Sequence, residues 1–237
     1  MMLKKWDELP KEMQTEQVRA YYNVLKRKRL SLFFTRIFDV CVSLSMLFVL
    51  SPVFVILAIL IKLDSRGPVF FRQVRITQYN KPFRIFKFRS MVHDAEKGAQ
   101  ITVCGDKRIT RVGRVIRKYR LDEISQLFDV LRGTMTFVGT RPESEKYVKS
   151  YTPEMMATLL LPAGITSLAS ICFKDEEKLL DQAADVDKIY VEKILPQKMK
   201  YNLEAIKTFS FWGNIKIMFM TILAVFGKEI KDDFIIR

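Results

Sequence analysis

The longest apolar stretch of the chain, Cys41 to Ile61, is an uncharged run of about the ~20 residues a helix needs to cross bilayer hydrocarbon. Ser51 and Pro52 interrupt it near the middle. The proline removes one backbone donor and its ring pushes away the carbonyl four residues back, at Phe48; the serine hydroxyl is placed to re-satisfy the opened backbone. Ahead of the run, residues 1–35 read as an amphipathic basic leader in which Val18, Tyr21, Tyr22 and Leu25 share one helical face, expected to lie on lipid headgroups. Beyond it, Gly67–Phe71 and Phe83–Arg89 alternate or cluster apolar residues as short strands do, and the turn at Tyr79-Asn80-Lys81-Pro82 joins them into a predicted β-hairpin. Helical periodicity predicts helices over 108–119 and 122–132, the second with Ile124, Leu127, Phe128 and Leu131 on one face and Gly133 as its stop. Residues 153–161, 174–181 and 186–208 also read as helical. Ile215–Phe226, apolar except for Lys216 and Thr221, is too short to span and predicts an interfacial or core helix. The pattern contains no internal repeat and predicts a helix-rich α+β chain.

Charge bears on how the apolar run meets a membrane. Lys26, Arg27, Lys28, Arg29 and Arg36 precede it, and Lys62, Arg66, Arg72 and Arg75 follow. Lys and Arg favour the cytoplasmic side, so both ends of the run belong on the same face. A helix–break–helix hairpin that enters and leaves by one face satisfies this, and an ordinary kinked transmembrane helix is the alternative. Lys62-Leu-Asp-Ser-Arg66 stands where a signal peptide would carry small cleavage-site residues, so the segment is expected to stay attached.

A length of 237 residues with 49% apolar content excludes a disordered chain. The net charge of +14 implies an anionic partner, and nucleic acid, lipid headgroups and a phosphorylated substrate all fit the charge. Cys41, Cys104 and Cys172 are odd in number and widely spaced, so neither a disulfide framework nor a zinc site is indicated. The single histidine, His93, has no Cys or His neighbour to complete a ligand set and reads as a surface or turn residue.

The most informative chemistry lies in the middle of the chain. Lys107 to Arg120 holds seven basic residues and no acidic one, Asp122 and Glu123 follow, and Arg141 comes after a glycine-bounded turn. Acids in a first helical turn serve as ordinary capping, and a basic stripe beside a membrane anchor binds anionic lipid. The sharper alternative sets a carboxylate as nucleophile or metal ligand against a phosphate, with Arg114, Arg117 and Arg141 neutralising the oxygens.

These residues resemble the bacterial sugar transferases that act as monotopic polyprenol-phosphate phosphoglycosyl transferases. The motifs carrying the resemblance run in order over residues 36–226: Arg36-Ile-Phe-Asp39, Ser51-Pro52, Gly67-Pro-Val-Phe-Phe-Arg-Gln73, Phe86-Lys-Phe-Arg-Ser-Met91, Arg108-Ile-Thr-Arg-Val-Gly-Arg114, Leu121-Asp-Glu123, Gln126-Leu127, Phe137-Val-Gly139 and Arg141-Pro142. The resemblance implies a monotopic membrane enzyme with three parts. These are the leader at 1–35, a re-entrant hairpin at 36–62 broken at Ser51 and Pro52, and a catalytic domain at 63–237 on the cytoplasmic face of the bacterial inner membrane. It implies that Asp122 attacks the β-phosphate of a nucleoside-diphosphate sugar, of UDP type, and that polyprenol phosphate then takes the phosphosugar, the first membrane step of a surface glycan. Glu123 would assist as metal ligand or acid/base with Mg²⁺, Asp122 sharing the metal. Lys87, Arg89, Arg114, Arg117 and Arg141 would bind substrate. The expected partners are that donor, polyprenol phosphate, membrane lipids and a second copy of the chain, and no nucleic acid. The rival function is a non-enzymatic membrane-surface adaptor, which has no need of Asp122. Thr140, Ser125, the segment Pro162–Leu168, Asn202 and Asn214 depart from the family's common pattern.

Overall fold

The computed structural model describes residues 3–92, 108–173 and 185–225. His93, Cys104, Lys107 and the helix expected over 174–181 lie outside the described residues.

The apolar run folds as two helices, α2 (Arg29–Val49) and α3 (Ser51–Asp64), which meet at Leu50. The break is where the proline argument puts it, and the Ser51 hydroxyl donates to the Phe48 carbonyl at 2.8 Å. Both far ends of the pair are fastened to one body. Near the start of α2 the Arg36 guanidinium donates to the carbonyls of Val130 (2.7 Å) and Leu131 (2.9 Å), closing the last turn of helix α5 (Leu127–Arg132). One turn on, buried Asp39 accepts from the Thr136 hydroxyl at 2.8 Å. At the end of α3, Arg89 donates to the carbonyls of Ile61 (3.2 Å) and Ser65 (2.6 Å), and Asp64 accepts from the Val112 amide at 2.9 Å. Between these anchors the pair buries Ser43 and Leu57 on one side and leaves apolar residues uncovered on the other: Phe48 is 82% exposed, Val49 70% and Val55 58%. A patch of this kind on a basic domain marks a surface made for something other than water.

The leader departs from expectation. Its helix α1 (Glu16–Arg27), capped by Thr15, buries Val18, Tyr21, Tyr22 and Leu25 against Met156, Leu160 and Ile206 of the domain. Its apolar face is therefore used up in the protein core and does not lie open to headgroups. The stripe is too narrow to serve both.

The β-hairpin forms, but as longer strands than the apolar pattern delimits: β1 (Phe70–Thr77) and β2 (Lys81–Phe88), antiparallel, around a tight turn with Tyr79 and Asn80 at positive φ. Of the arginines that obscure the strand pattern, Arg72 stacks its guanidinium 3.5 Å over the Phe86 ring. After it comes α4 (Arg111–Lys118), then a 3-10 turn at Ile124–Gln126 leading into α5, where the sequence predicts one helix over 122–132. A second sheet is not expected from the sequence: β3 (Met135–Val138) runs parallel to β4 (Ala163–Thr166). Gly139 and Gly164 cross backbone to backbone beside it, and a Cβ on Gly164 would run into Gly139. Residues 155–160 are a 3-10 helix leading into β4.

The short helix α6 (Glu145–Val148) lies between β3 and β4 in the chain, and α7 (Leu168–Cys172) follows β4. The helix predicted over 186–208 forms as α8 (Val186–Ile189), a π-turn at Tyr190–Ile194, and α9 (Leu195–Lys207). Pro196 explains the widened turn, because it has no N–H and its ring crowds the Glu192 carbonyl. The last helix, α10 (Phe211–Val225), buries Ile217 and Met220, sets Phe211 against Phe34 and Phe38 of α2, and leaves Trp212, Phe219 and Ile222 exposed. It thus joins the core and extends the apolar surface of α2.

Candidate active site

Three pieces of backbone converge on the carboxylate pair. The first is the end of β2, whose Phe88 amide donates to the Asp122 carbonyl at 3.1 Å, which brings Lys87 alongside. The second is the loop after α4. Arg120 takes a left-handed conformation (φ 51°), uncommon for a residue with a Cβ, and turns the chain so that Leu121 N–H donates to Ile116 (2.8 Å) and Glu123 N–H to Arg120 (3.3 Å). Buried Ser125 donates its hydroxyl to the Asp122 carbonyl at 3.1 Å, a bond that proline at this position could not make. The third piece is the segment beyond β3. Gly139 N–H donates to Thr166, Gly164 N–H to Thr140 and Ile76 N–H to Glu143, each at 2.9 Å, so the backbone of Arg141 is pinned on both sides.

Contrary to the sequence expectation, Asp122 and Glu123 are not in the first turn of an α-helix; they precede the 3-10 turn. Their charge is answered by side chains instead. Arg141 donates to Glu123 Oε1 at 2.6 Å, and the Lys87 ammonium stands 3.5 Å from Glu123 and 3.9 Å from Asp122. Burial works against ionisation of Glu123, but Arg141 and then Lys87 outweigh it and hold the carboxyl well below the usual range. Burial pushes Asp122 the other way, above its ordinary value, with Lys87 opposing and the neighbouring Glu123 charge reinforcing the rise. Burial lowers the Lys87 pKa, with Glu123 opposing. The two acids are thus driven apart, one fixed as an anion and the other poised, a pattern that separates roles at reaction centres. Arg141 keeps 38% of its side-chain surface open against 14% for Glu123, so it can grip a carboxylate and still meet a ligand.

Of the other residues singled out by sequence, Arg117 acts on Asp122 through its charge. Arg89 is buried and engaged at the end of α3, and Arg114 is exposed on α4, with no contact joining either to the acid pair among the described residues. Two cations escaped sequence reasoning. Arg120 lowers the Glu123 pKa, yet nothing in a basic run marks which residue turns left-handed. Arg75 reads as one more membrane-flanking charge until strand register places it on the face of Lys87.

Among the described residues no group of three or more His, Cys, Asp or Glu could hold a metal ion. Two adjacent carboxylates are nevertheless what Mg²⁺ takes from a protein when phosphate oxygens and water complete its shell, and Asp122 is the less engaged of the two.

The site is thus a partly buried acid pair with Lys87 and Arg141 beside it, on a domain that also carries an apolar helical hairpin. The chain belongs to the bacterial sugar transferase family, whose model matches residues 30–228. It is 38% identical over 197 residues to a UDP-N-acetylgalactosamine-undecaprenyl-phosphate N-acetylgalactosaminephosphotransferase of Aeromonas hydrophila, covering 81% of this chain and 44% of that protein. It is 37% identical over 210 residues to an undecaprenyl-phosphate glucose phosphotransferase of Komagataeibacter xylinus, covering 84% and 37%. A UDP-glucose:undecaprenyl-phosphate glucose-1-phosphate transferase of Caulobacter vibrioides is 33% identical over 192 residues, covering 79% and 67%. The chain therefore spans less than half of the first two of these relatives.

The divergence of the two acids is open to measurement. In a carboxyl ¹³C NMR titration, Asp122 should titrate above the usual aspartate value of about 3.9 while Glu123 stays ionised. Lys87→Met removes the cation that opposes the rise, so the Asp122 midpoint should move further up. An Asp122 midpoint at or below the usual value, or one indifferent to Lys87, would contradict the electrostatics described.

Proposed function

We infer that this chain transfers a phosphosugar from a UDP-sugar to polyprenol phosphate through an aspartyl intermediate on Asp122. The observation that carries the reading is the pairing of a poised carboxylate with one held ionised between Lys87 and Arg141. The named substrates of the relatives support the donor and acceptor classes.

In the first step an Asp122 carboxylate oxygen bonds to the β-phosphorus, and the bond from that phosphorus to the bridging oxygen breaks. The electron pair leaves with the nucleoside monophosphate. In the second step an oxygen of polyprenol phosphate attacks the same phosphorus, and the carboxylate departs to regenerate the enzyme. Lys87 and Arg141 neutralise the phosphoryl oxygens in both steps, where charge shifts most. Glu123 keeps Arg141 and Lys87 in place, and no proton need leave Asp122 once it is ionised. Mg²⁺, held by Asp122 and Glu123, would supply Lewis-acid neutralisation of the diphosphate.

The lipid-linked acceptor calls for a site at a bilayer surface. On this reading α2 and α3 enter the membrane as a re-entrant hairpin with the break at its tip, and the domain rests on the cytoplasmic face. The support is the exposed apolar length between two anchors on one body and the basic flanks at both ends. The product would be the first membrane-bound intermediate of a surface glycan or exopolysaccharide.

Asp122→Asn preserves shape and removes the attacking charge, so nucleoside monophosphate release should fall by several orders of magnitude while the unfolding temperature changes little. Retained turnover in the folded variant contradicts the covalent reading and favours the surface-adaptor alternative.

Topology is tested in a cysteine-free background with Ala20→Cys and Arg66→Cys, both at exposed positions. A membrane-impermeant thiol reagent should reach both from the cytoplasmic side only. Opposite accessibility would mean that the segment spans, and Pro52→Leu should shift the protein toward that outcome by restoring a continuous helix.

A further inference from the structure

The face of the β-hairpin that bears Lys87 bears a second cation. The register pairs Arg75 with Phe83, Gln73 with Ile85 and Phe71 with Lys87, so these six side chains share one side of the sheet. Ile85 is buried there with Leu127, Val130 and Phe137, so the middle of this side packs against the domain. At the β1 end of the face Arg75 is half-buried. Among the described residues its guanidinium makes one side-chain hydrogen bond, to Gln73 Oε1 at 2.8 Å. A guanidinium carries five donors in a planar fork, so most of this one is uncommitted.

Its electrostatic surroundings are short of negative charge. Burial lowers the Arg75 pKa; Glu143 is the main opposing charge and Arg141 adds to the lowering. Glu143 is itself buried and already accepts from the Tyr190 hydroxyl at 2.5 Å, with the Lys198 ammonium 3.6 Å away. It therefore answers Arg75 through its field, without an ion pair among the described residues. Arg75 and Arg141 thus feel each other's charge, and the carboxylates that act on them, Glu143 and Glu123, are engaged by other groups. Holding partly desolvated cations together in this way is costly unless an anion joins them.

We propose that Arg75 is a donor-binding residue that grips the phosphate leaving with the nucleoside, while Lys87 and Arg141 hold the phosphate that Asp122 attacks. The positions of the residues favour this division. Phe83, the partner of Arg75, lies four residues from Lys87, roughly 13 Å along the strand at ~3.3 Å per residue. Two long side chains rooted that far apart on one face suit adjacent phosphates better than a single one. The planar fork of Arg75 suits the two free oxygens of a phosphodiester-like group, which an ammonium would meet only as a point charge. Neutralising that phosphate favours departure of the nucleotide in the first step.

This assignment rests on the transfer reading, and the test separates the two. The full chain in lipid nanodiscs is titrated calorimetrically with UDP, UMP and uridine. Wild type and Asp122→Asn should both bind UDP and UMP; failure of wild type to bind either would overturn the transfer reading itself. Arg75→Gln should weaken UMP and UDP by at least about tenfold and leave uridine unchanged. Wild-type affinity for UMP in Arg75→Gln, with wild type binding normally, would overturn the Arg75 assignment alone. Should Arg75→Gln fail to fold, Arg75→Lys is read in the same titration, where a several-fold loss for UMP is expected and no loss overturns the proposal. A purely structural arginine would instead lower the unfolding temperature and leave the affinity of the folded protein intact.

Discussion

The ion pair between Glu123 and Arg141, with Lys87 beside it, is the constraint around which the domain is arranged. A carboxylate with 14% of its side chain exposed is costly to ionise unless cations reach it, and each of its cations comes from a different part of the chain. Lys87 requires the hairpin to end against the Asp122 carbonyl. Arg141 requires β3 and β4 to pair in parallel, with two glycines letting the backbones cross. Arg120 requires a left-handed residue after α4. One charge cluster therefore draws together segments that are distant in sequence, and the same cluster leaves Asp122 the least neutralised acid in the site.

The helix pair meets a parallel demand. Its apolar middle gains nothing from water, so the polar work is concentrated at its two ends. Arg36 and Asp39 tie α2 to α5 and β3, and Arg89 and Asp64 tie α3 to the strand end and to α4. Because these anchors lie on the elements that carry Lys87 and precede Asp122, the proposed membrane segment and the proposed reaction centre form one mechanical unit. A lipid-linked acceptor presented along α2 and α3 would arrive beside the acids without a separate docking domain.

Much of this was legible in the sequence, for identifiable reasons. Proline acts locally, so the break at Ser51 and Pro52 and even the hydroxyl bond to Phe48 follow from the chain alone. The acid pair and Arg141 stand out because motif order and charge contrast are one-dimensional properties. What was not legible depends on pairing across distance. The parallel β3–β4 sheet is four residues per strand, too short to impose a period. The outer residues of the hairpin hid behind arginines, of which Arg72 lays its guanidinium over the Phe86 ring. The face of α1 was visible but its partner was not: amphipathicity reveals a buried stripe without saying whether protein or lipid covers it. Arg89 and Arg114 carried the right charge in the right motifs, yet only three-dimensional placement distinguishes a cation that closes a helix from one that faces the acids.

The central claim is that Asp122, alone among the acids gathered here, becomes bonded to phosphorus. Intact-protein and peptide mass spectrometry of the purified chain, quenched in acid after mixing with a panel of UDP-sugars and Mg²⁺ but no polyprenol phosphate, measures that directly. The predicted result is a single phosphosugar adduct on the peptide containing Asp122, formed with one equivalent of UMP and discharged when polyprenol phosphate is added. UMP release that depends on polyprenol phosphate from the outset, with no adduct at any time, would contradict it and point to direct transfer between the two substrates.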